Sequence, residues 1–153
     1  MSQESQDRVR HAYEAYTQMV LQAMVNYVEG DEAVDRMWIY TAFDNDIIET
    51  APFFRYQGQL RNHGDIAQVD TSRAYDPWAL LDAFEDEVEV ELLDALRAYG
   101  EVPQRIITSY NPIEGGLDSE WDYDGVLTGP EDSYGLARDR WIQSLGGTPL
   151  LGP

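Results

Sequence analysis

An apolar stripe at helical spacing over residues 78–99 constrains the fold more than any other feature. The stripe has seven members: Leu81, Phe84, Val88, Leu92, Ala95, Leu96 and Tyr99. Seven acidic residues between positions 82 and 94 fill the flanks of the same helix. A helix of this kind buries its apolar side and leaves its charged side in water. The pattern therefore predicts one helix that begins at Pro77 or Trp78, ends before Gly100 and packs on another layer of structure.

Helix-like and strand-like segments alternate along the rest of the chain. Apolar residues at three- and four-residue spacing predict helices over 7–28 and 131–145, and Pro130 suits the first position of the second of these. Runs of aromatic and β-branched residues predict four strands, at 37–43, 53–57, 105–110 and 117–123. The order α-β-β-α-β-β-α indicates an α+β fold, in which a small antiparallel sheet packs with helices.

The whole chain, residues 1–153, is predicted to form a single domain with an ordered core over about 7–146. A chain of this length buries enough surface on folding to form a hydrophobic core without cross-links. Two stretches are expected to lie outside the central strands. Pro52 lacks a backbone N–H, which argues against a central strand at that position, and residues 61–77 are polar and irregular.

The charge balance restricts the classes of partner. The chain has 29 acidic and 10 basic residues, for a net charge of −19, and every basic residue is arginine. Such a negative protein repels nucleic-acid phosphates and anionic lipids, so direct binding to nucleic acid or to a membrane is not expected. Basic proteins and cations are the natural partners. Two other interpretations concern the organism rather than the partner. A GC-rich genome favours arginine codons over lysine codons, and proteins of high-salt organisms have acidic surfaces and few lysines.

Other sequence features favour a non-enzymatic cytoplasmic protein. Cysteine is absent, which excludes disulfides and thiol chemistry. No apolar run is long enough for a transmembrane helix, and the polar N-terminal residues do not resemble a signal peptide. His11 and His63 are not in a metal-ligand spacing, and no nucleotide-binding or hydrolase motif occurs. We therefore expect no catalytic residue, no cofactor and no resident metal.

Acidic residues at alternate positions define a candidate binding surface. The set comprises Asp118, Glu120, Asp122 and Asp124. On a strand all four lie on one face, where like charges repel unless water, a cation or a partner's basic groups offset the repulsion. The acidic side of the 78–99 helix supplies a second candidate strip: Asp82, Asp86 and Glu89. Each strip is either an ordinary solvated face or a docking surface for a basic protein.

The first of these segments also supports an alternative function. Five residues nearly match the spacing of an EF-hand calcium loop over 120–131: Glu120, Asp122, Asp124, Gly125 and Glu131. Three departures weigh against calcium: the first ligand is Glu rather than the usual Asp, Pro130 falls late in the loop, and no entering helix precedes it. A calcium-binding module that uses Glu120, Asp122, Asp124 and Glu131 stays open as the alternative.

The C-terminal third resembles the YezG-like immunity proteins of bacterial toxin systems. The likeness begins with a turn glycine that leads into a strand of aromatic and acidic residues, Gly116-Leu117-Asp118-Ser119-Glu120-Trp121-Asp122-Tyr123-Asp124. It continues through Asp132-Ser133-Tyr134 to a helix that carries Trp141 and ends at Leu145-Gly146. Similarity at the level of residues is confined to about 116–146, whereas the order of elements agrees over 7–146.

The resemblance implies a specific role. Such proteins are cytoplasmic, non-enzymatic inhibitors that bind the C-terminal domain of a toxin, often a nuclease, and protect the bacterium from it. No catalytic residue is carried over. The implied partner agrees with the charge of the chain, because nuclease domains are basic in order to bind phosphates. We therefore predict an immunity protein that binds and neutralises a cognate toxin domain, a basic nuclease, through its acidic surface.

Overall fold

A computed structural model describes residues 3–28, 31–44, 47–64, 66 and 77–150. The elements in chain order are α1 (Gln3–Val28), β1 (Val34–Asp44), β2 (Ile47–Tyr56), β3 (Gln59–Asn62), α2 (Pro77–Asp82), α3 (Asp86–Tyr99), β4 (Arg105–Tyr110), β5 (Leu117–Asp122) and α4 (Tyr134–Ser144). The α+β class is confirmed, but the order is α-β-β-β-α-α-β-β-α rather than the expected α-β-β-α-β-β-α. None of the described helices is long and apolar enough to cross a membrane.

The five strands form one antiparallel sheet with β1 at its centre. The strand order is β3-β2-β1-β4-β5. On one side of β1, Ile39 lies opposite Pro52 of β2, and on the other side it lies opposite Thr108 of β4. β5 pairs only with β4, so it forms an open edge of the sheet among the described residues. This edge position determines how exposed the acidic strand is.

Two hydrophobic clusters pack on opposite faces of the sheet. Ile39 of β1 belongs to the larger cluster, together with side chains of α1, α2 and α3 such as Leu92. The next residue, Tyr40, belongs to the smaller cluster, which includes Ile142 of α4. Because successive side chains of a strand point to opposite faces, β1 is buried on both sides. The protein therefore has three layers: helices α1 to α3, the sheet, and α4.

The second and third strands differ from the prediction. β2 is one ten-residue strand that runs through Pro52 rather than a short strand over 53–57, and β3 occupies part of the stretch that was expected to be irregular. Pro52 is tolerated because β3 pairs only with Phe53–Tyr56, which leaves the far side of β2 open at position 52. Gln57 and Gly58 join the strands with φ angles of 51° and 78°, as a tight type I′ hairpin turn requires.

The acidic helix is divided rather than continuous. α2 ends at Asp82 and α3 begins at Asp86, after Glu85 adopts extended dihedral angles (φ −92°, ψ 122°). The break places Asp86, Glu87 and Glu89 in the first turn of a new helix. The positive end of the helix dipole stabilises carboxylates there. Periodicity alone missed the break because the apolar spacing continues across it.

The last helix begins later than predicted. α4 spans Tyr134–Ser144, and the side chain of its N-cap, Ser133, accepts a backbone N–H of the first turn at 3.1 Å. Pro130 was expected at the first helical position but lies in the loop before the helix. Asp132 organises this loop through its ion pair with Arg140, which holds the pKa of the Asp132 carboxyl well below its usual range. These side-chain interactions set the start of α4 at Tyr134.

Candidate functional site

The acidic strand residues lie at the open edge of the sheet. On β5 they alternate as expected: Asp118, Glu120 and Asp122 face the α4 side, whereas Trp121 faces α1. Asp124 lies beyond the end of β5 and is exposed. Asp118, Glu120 and Asp122 are named the acidic face of β5 below. The structure therefore brings three of the four predicted strand acids onto one surface.

Asp122 differs from the other two acids because it is already paired within the protein. Its Oδ2 accepts a hydrogen bond from Arg105 Nε at 2.7 Å, and the two side chains are only 22% and 21% exposed. The Arg105 guanidinium also lies 5.8 Å from the ring centroid of Tyr40 and 3.5 Å from its hydroxyl oxygen. This pair ties β5 to β4 and leaves the Asp122 carboxylate little capacity for an external partner.

The side chains of Asp118 and Glu120 form no hydrogen bond or ion pair with any other described residue. They border a groove of about 280 Å³ that lies between the edge strands and α4. This groove is named the Trp groove below, and its lining residues are Trp38, Ile107, Ser109, Asp118, Ser119, Glu120, Trp141 and Leu145. Carboxylates beside aromatic rings suit a cationic side chain, because the charge and the ring faces both attract it.

The two tryptophans of the Trp groove come from different layers. Trp38 is on β1 and Trp141 is on α4, and their ring centroids lie 6.3 Å apart with planes at 78°. Trp141 also packs against Tyr40 and Phe53, at 5.1 Å and 5.2 Å between centroids. These contacts hold the aromatic wall of the groove in place. Sequence patterns did not assign either tryptophan to the site, because their spacing is the same as that of ordinary core residues.

The protein's own Arg36 lies against the same aromatic surface. Its guanidinium carbon is 5.8 Å from the ring centroid of Trp38, and Nη2 donates to Ser109 Oγ at 3.2 Å. Trp38 is only 9% exposed and its ring already has this internal guanidinium beside it, so an external cation would contact the less buried Trp141 rather than Trp38. Arg36 forms no ion pair with Asp118 or Glu120, so both carboxylates stay available to a second cation.

The second predicted strip lies on the opposite side of the sheet. Asp82 ends α2 and Asp86 begins α3, and both are exposed. Glu89 is partly buried and accepts a hydrogen bond from the Thr50 hydroxyl at 3.4 Å. Burial, and secondly repulsion from Asp86, raises the pKa of Glu89. Since α2 and α3 pack with α1 whereas the acidic face of β5 points toward α4, the two strips do not form one continuous surface.

The four residues of the calcium alternative are spread over a strand and the loop that follows it. Glu120 and Asp122 lie on β5, where Asp122 is bound to Arg105. Asp124 and Glu131 are exposed in the loop between β5 and α4. Among the residues that the structure describes, no group of three or more histidine or acidic side chains is placed to hold a metal ion. The calcium-binding function stays a prediction that no contact in this region favours.

A second groove borders β5 on its other face. It has a volume of about 340 Å³ and runs along α1. This groove is named the α1 groove below, and its lining residues are Tyr13, Glu14, Thr17, Gln18, Leu21, Gln22, Val25, Tyr110 and Leu117. Leu117 of β5 is 51% exposed at its border. The groove was not predicted, because the alternation of a strand does not indicate which apolar residues stay uncovered.

No protein-family model matches the sequence, and no curated protein matches it either.

Proposed function

We propose that this protein is a non-enzymatic, cytoplasmic immunity protein that binds and neutralises a cognate bacterial toxin domain, a basic nuclease. The observation that carries the proposal is the pair of unpartnered carboxylates, Asp118 and Glu120, beside the aromatic rings of the Trp groove. The resemblance of residues 116–146 to the YezG-like family supports the same role.

The charge of the protein supports a basic partner. The net charge is −19, and a nuclease domain carries a positive surface because it binds phosphates. Oppositely charged surfaces associate faster and exclude wrong partners, even where the ion pairs add little affinity. An acidic inhibitor also competes with nucleic acid for the basic surface of the toxin. Asp118 and Glu120 lie on an exposed edge strand, where a partner has access to both.

The Trp groove adds specificity to this attraction. A basic side chain of the toxin domain would meet the two carboxylates and the ring of Trp141 together. Arginine fits such a site better than lysine, because its planar guanidinium stacks on aromatic rings and donates two parallel hydrogen bonds to a carboxylate. Arginine and aromatic residues also dominate the binding energy of protein interfaces. We therefore assign the Trp groove as the receptor for an arginine of the toxin domain.

The experiment that tests the proposal is co-expression with the toxin C-terminal domain encoded beside this gene. The unmodified protein should co-purify with that domain and restore growth of the cells that express it. The double variant Asp118→Lys/Glu120→Lys should lose both effects. The control Glu32→Lys/Glu87→Lys changes the net charge equally at two exposed residues whose side chains form no hydrogen bond or ion pair with the rest of the described chain. Thermal melting of each variant checks that it folds.

The possible outcomes distinguish an error in the assigned binding site from an error in the proposed function. Loss of the complex in the β5 variant, but not in the control, supports the Trp groove as the binding site. Equal loss in both variants would mean that overall charge drives binding and would contradict the assignment of the groove. An unmodified protein that neither binds the toxin domain nor restores growth would contradict the immunity function itself.

A further inference from the structure

We propose that the open edge of β5 accepts an additional strand from the basic partner, and that this strand carries basic residues on one face and apolar residues on the other. This inference rests on the proposed function, because it specifies how that partner binds.

The backbone of β5 has hydrogen-bonding groups that point away from the sheet. The Asn111 N–H donates to the Gly116 carbonyl at 2.9 Å, toward β4. Because this direction alternates from residue to residue along a strand, the N–H and C=O groups of Leu117, Ser119 and Trp121 point away from β4. β5 is the last strand of the sheet, and no other described strand pairs with it on that side. These N–H and C=O groups can form backbone hydrogen bonds with an added strand.

Each face of β5 fits a different kind of side chain. On the α4 side, Asp118 and Glu120 carry negative charge that no described residue neutralises. On the α1 side, Leu117 borders the α1 groove together with Leu21 and Val25. Side chains of an added strand would also alternate between the two faces and so reach both surfaces at once. The complementary segment therefore alternates arginine or lysine with apolar residues.

Charge complementarity favours such a segment over a second copy of this protein. If two β5 strands paired antiparallel about Ser119, Asp118 of each would lie opposite Glu120 of the other. Like charges directly opposite each other destabilise a strand pair. Charged residues on an edge strand commonly prevent pairing between copies in this way. On β5 the charge has one sign, so it opposes self-pairing and attracts a basic strand.

The test uses the full-length protein and a labelled synthetic peptide of about eight residues that alternates arginine and valine. Binding is followed by fluorescence anisotropy, with a peptide of the same composition in two blocks, arginines then valines, as the control. Two further peptides are N-methylated, one at every arginine and the other at every valine. Each N-methylated peptide lacks the N–H donors along only one edge of the peptide strand, because the direction of the N–H groups alternates along a strand.

The alternating peptide should bind more tightly than the block peptide, and one N-methylated isomer should bind roughly tenfold or more weakly than the other, because it loses its hydrogen bonds to β5. Amide hydrogen exchange supplies a second readout. Peptide binding should slow exchange at Leu117, Ser119 and Trp121, whereas the amides of Asp118 and Glu120 already face β4.

Several results would overturn strand addition. These are equal affinity of the two N-methylated isomers, equal affinity of the alternating and block peptides, no binding of any peptide, or no added protection at the three amides. Concentration-dependent protection of those amides without peptide would show self-pairing and would overturn it as well. The immunity function fails by a different result, the absence of a complex between the unmodified protein and the toxin domain, so the two failures are distinguishable.

Discussion

Arg105 lies directly opposite Asp122 across the two edge strands and donates a hydrogen bond to its carboxylate at 2.7 Å. The pair separates the acidic face of β5 into two kinds of residue. The Asp122 carboxylate is ion-paired with Arg105, whereas the carboxylates of Asp118 and Glu120 have no partner among the described residues. Acidic residues that look equivalent in the sequence should therefore differ in whether their substitution affects stability or partner binding.

Replacement of Asp122 should affect stability rather than partner binding. Asp122→Ala leaves the mostly buried guanidinium of Arg105 without its carboxylate, so the free energy of unfolding should fall by about 1–3 kcal/mol. Asp118→Ala is the matched control and should change it by less than about 0.5 kcal/mol, because no contact is lost. Urea denaturation measures both. Equal stability of the two variants would contradict a structural role for the Arg105–Asp122 pair.

The two acidic strips should differ in their effect on dissociation from the toxin domain. Asp118→Asn/Glu120→Gln and Asp82→Asn/Asp86→Asn remove the same charge from opposite sides of the sheet. Both should slow association slightly, and less so in high salt, because long-range attraction is screened. Only Asp118→Asn/Glu120→Gln should raise the dissociation rate, by about tenfold or more, because only the acidic residues of β5 lie in the proposed interface. Surface plasmon resonance at two salt concentrations measures both rates; an equal rise in the two dissociation rates would contradict a single interface at β5.

Substitution of Glu89 should change how stability depends on pH. Burial, followed by repulsion from Asp86, raises the pKa of Glu89 above its ordinary value of 4.5. The folded protein therefore favours protonated Glu89. The stability that this protonation contributes is fully present below about pH 4.5 and is lost as the pH rises through the pKa of Glu89 in the folded state. Glu89→Gln carries no charge, so its melting temperature should exceed that of the unmodified protein at about pH 7, and the difference should shrink toward about pH 4.

Melting curves across this pH range, with Glu87→Gln as the exposed control, test the Glu89 prediction. A difference between Glu89→Gln and the unmodified protein that does not vary with pH would contradict it.

Calcium is expected to leave the melting temperature unchanged. A calcium ion in the EF-hand-like segment would need the carboxylate of Asp122, which Arg105 already binds. Glu120 lies on β5 beside the Trp groove rather than in a loop. Thermal melting with and without calcium tests this expectation. A calcium-dependent increase that Glu131→Gln abolishes would support the calcium-binding function instead.

Sequence patterns predicted the bounds of some elements much better than those of others. The β4 strand has the predicted bounds, and α1 ends at Val28 as predicted although it begins earlier, at Gln3. α1 has a clear helical period, whereas β4 is recognisable as a short run with β-branched residues that is buried on both faces of the sheet. The β3 strand has only four residues, Gln59–Asn62, three of them polar, so its alternation was too short to detect. It forms because the turn at Gln57 and Gly58 folds it back onto β2.

The candidate site was predicted in part. Alternation correctly placed Asp118, Glu120 and Asp122 on one face of a strand, because side-chain direction follows from local geometry. The pairing of Asp122 was not predicted, because Arg105 lies seventeen residues earlier and only the strand register brings the two together. The separation of the two acidic strips was missed for a similar reason, since no local pattern indicates on which side of the sheet a helix packs.

By itself, the sequence determined the net charge of −19, the α+β class and the alternation of acidic and apolar residues along β5, because these follow from composition and short-range spacing. Only the tertiary structure decided that β5 is an open edge and that the Asp122 carboxylate is paired with Arg105. It also decided that Trp38 and Trp141 line the same groove as Asp118 and Glu120. Strand order and the side of the sheet on which a helix packs depend on contacts between residues far apart in the chain. Those contacts form only when the hydrophobic clusters on the two faces of the sheet assemble together.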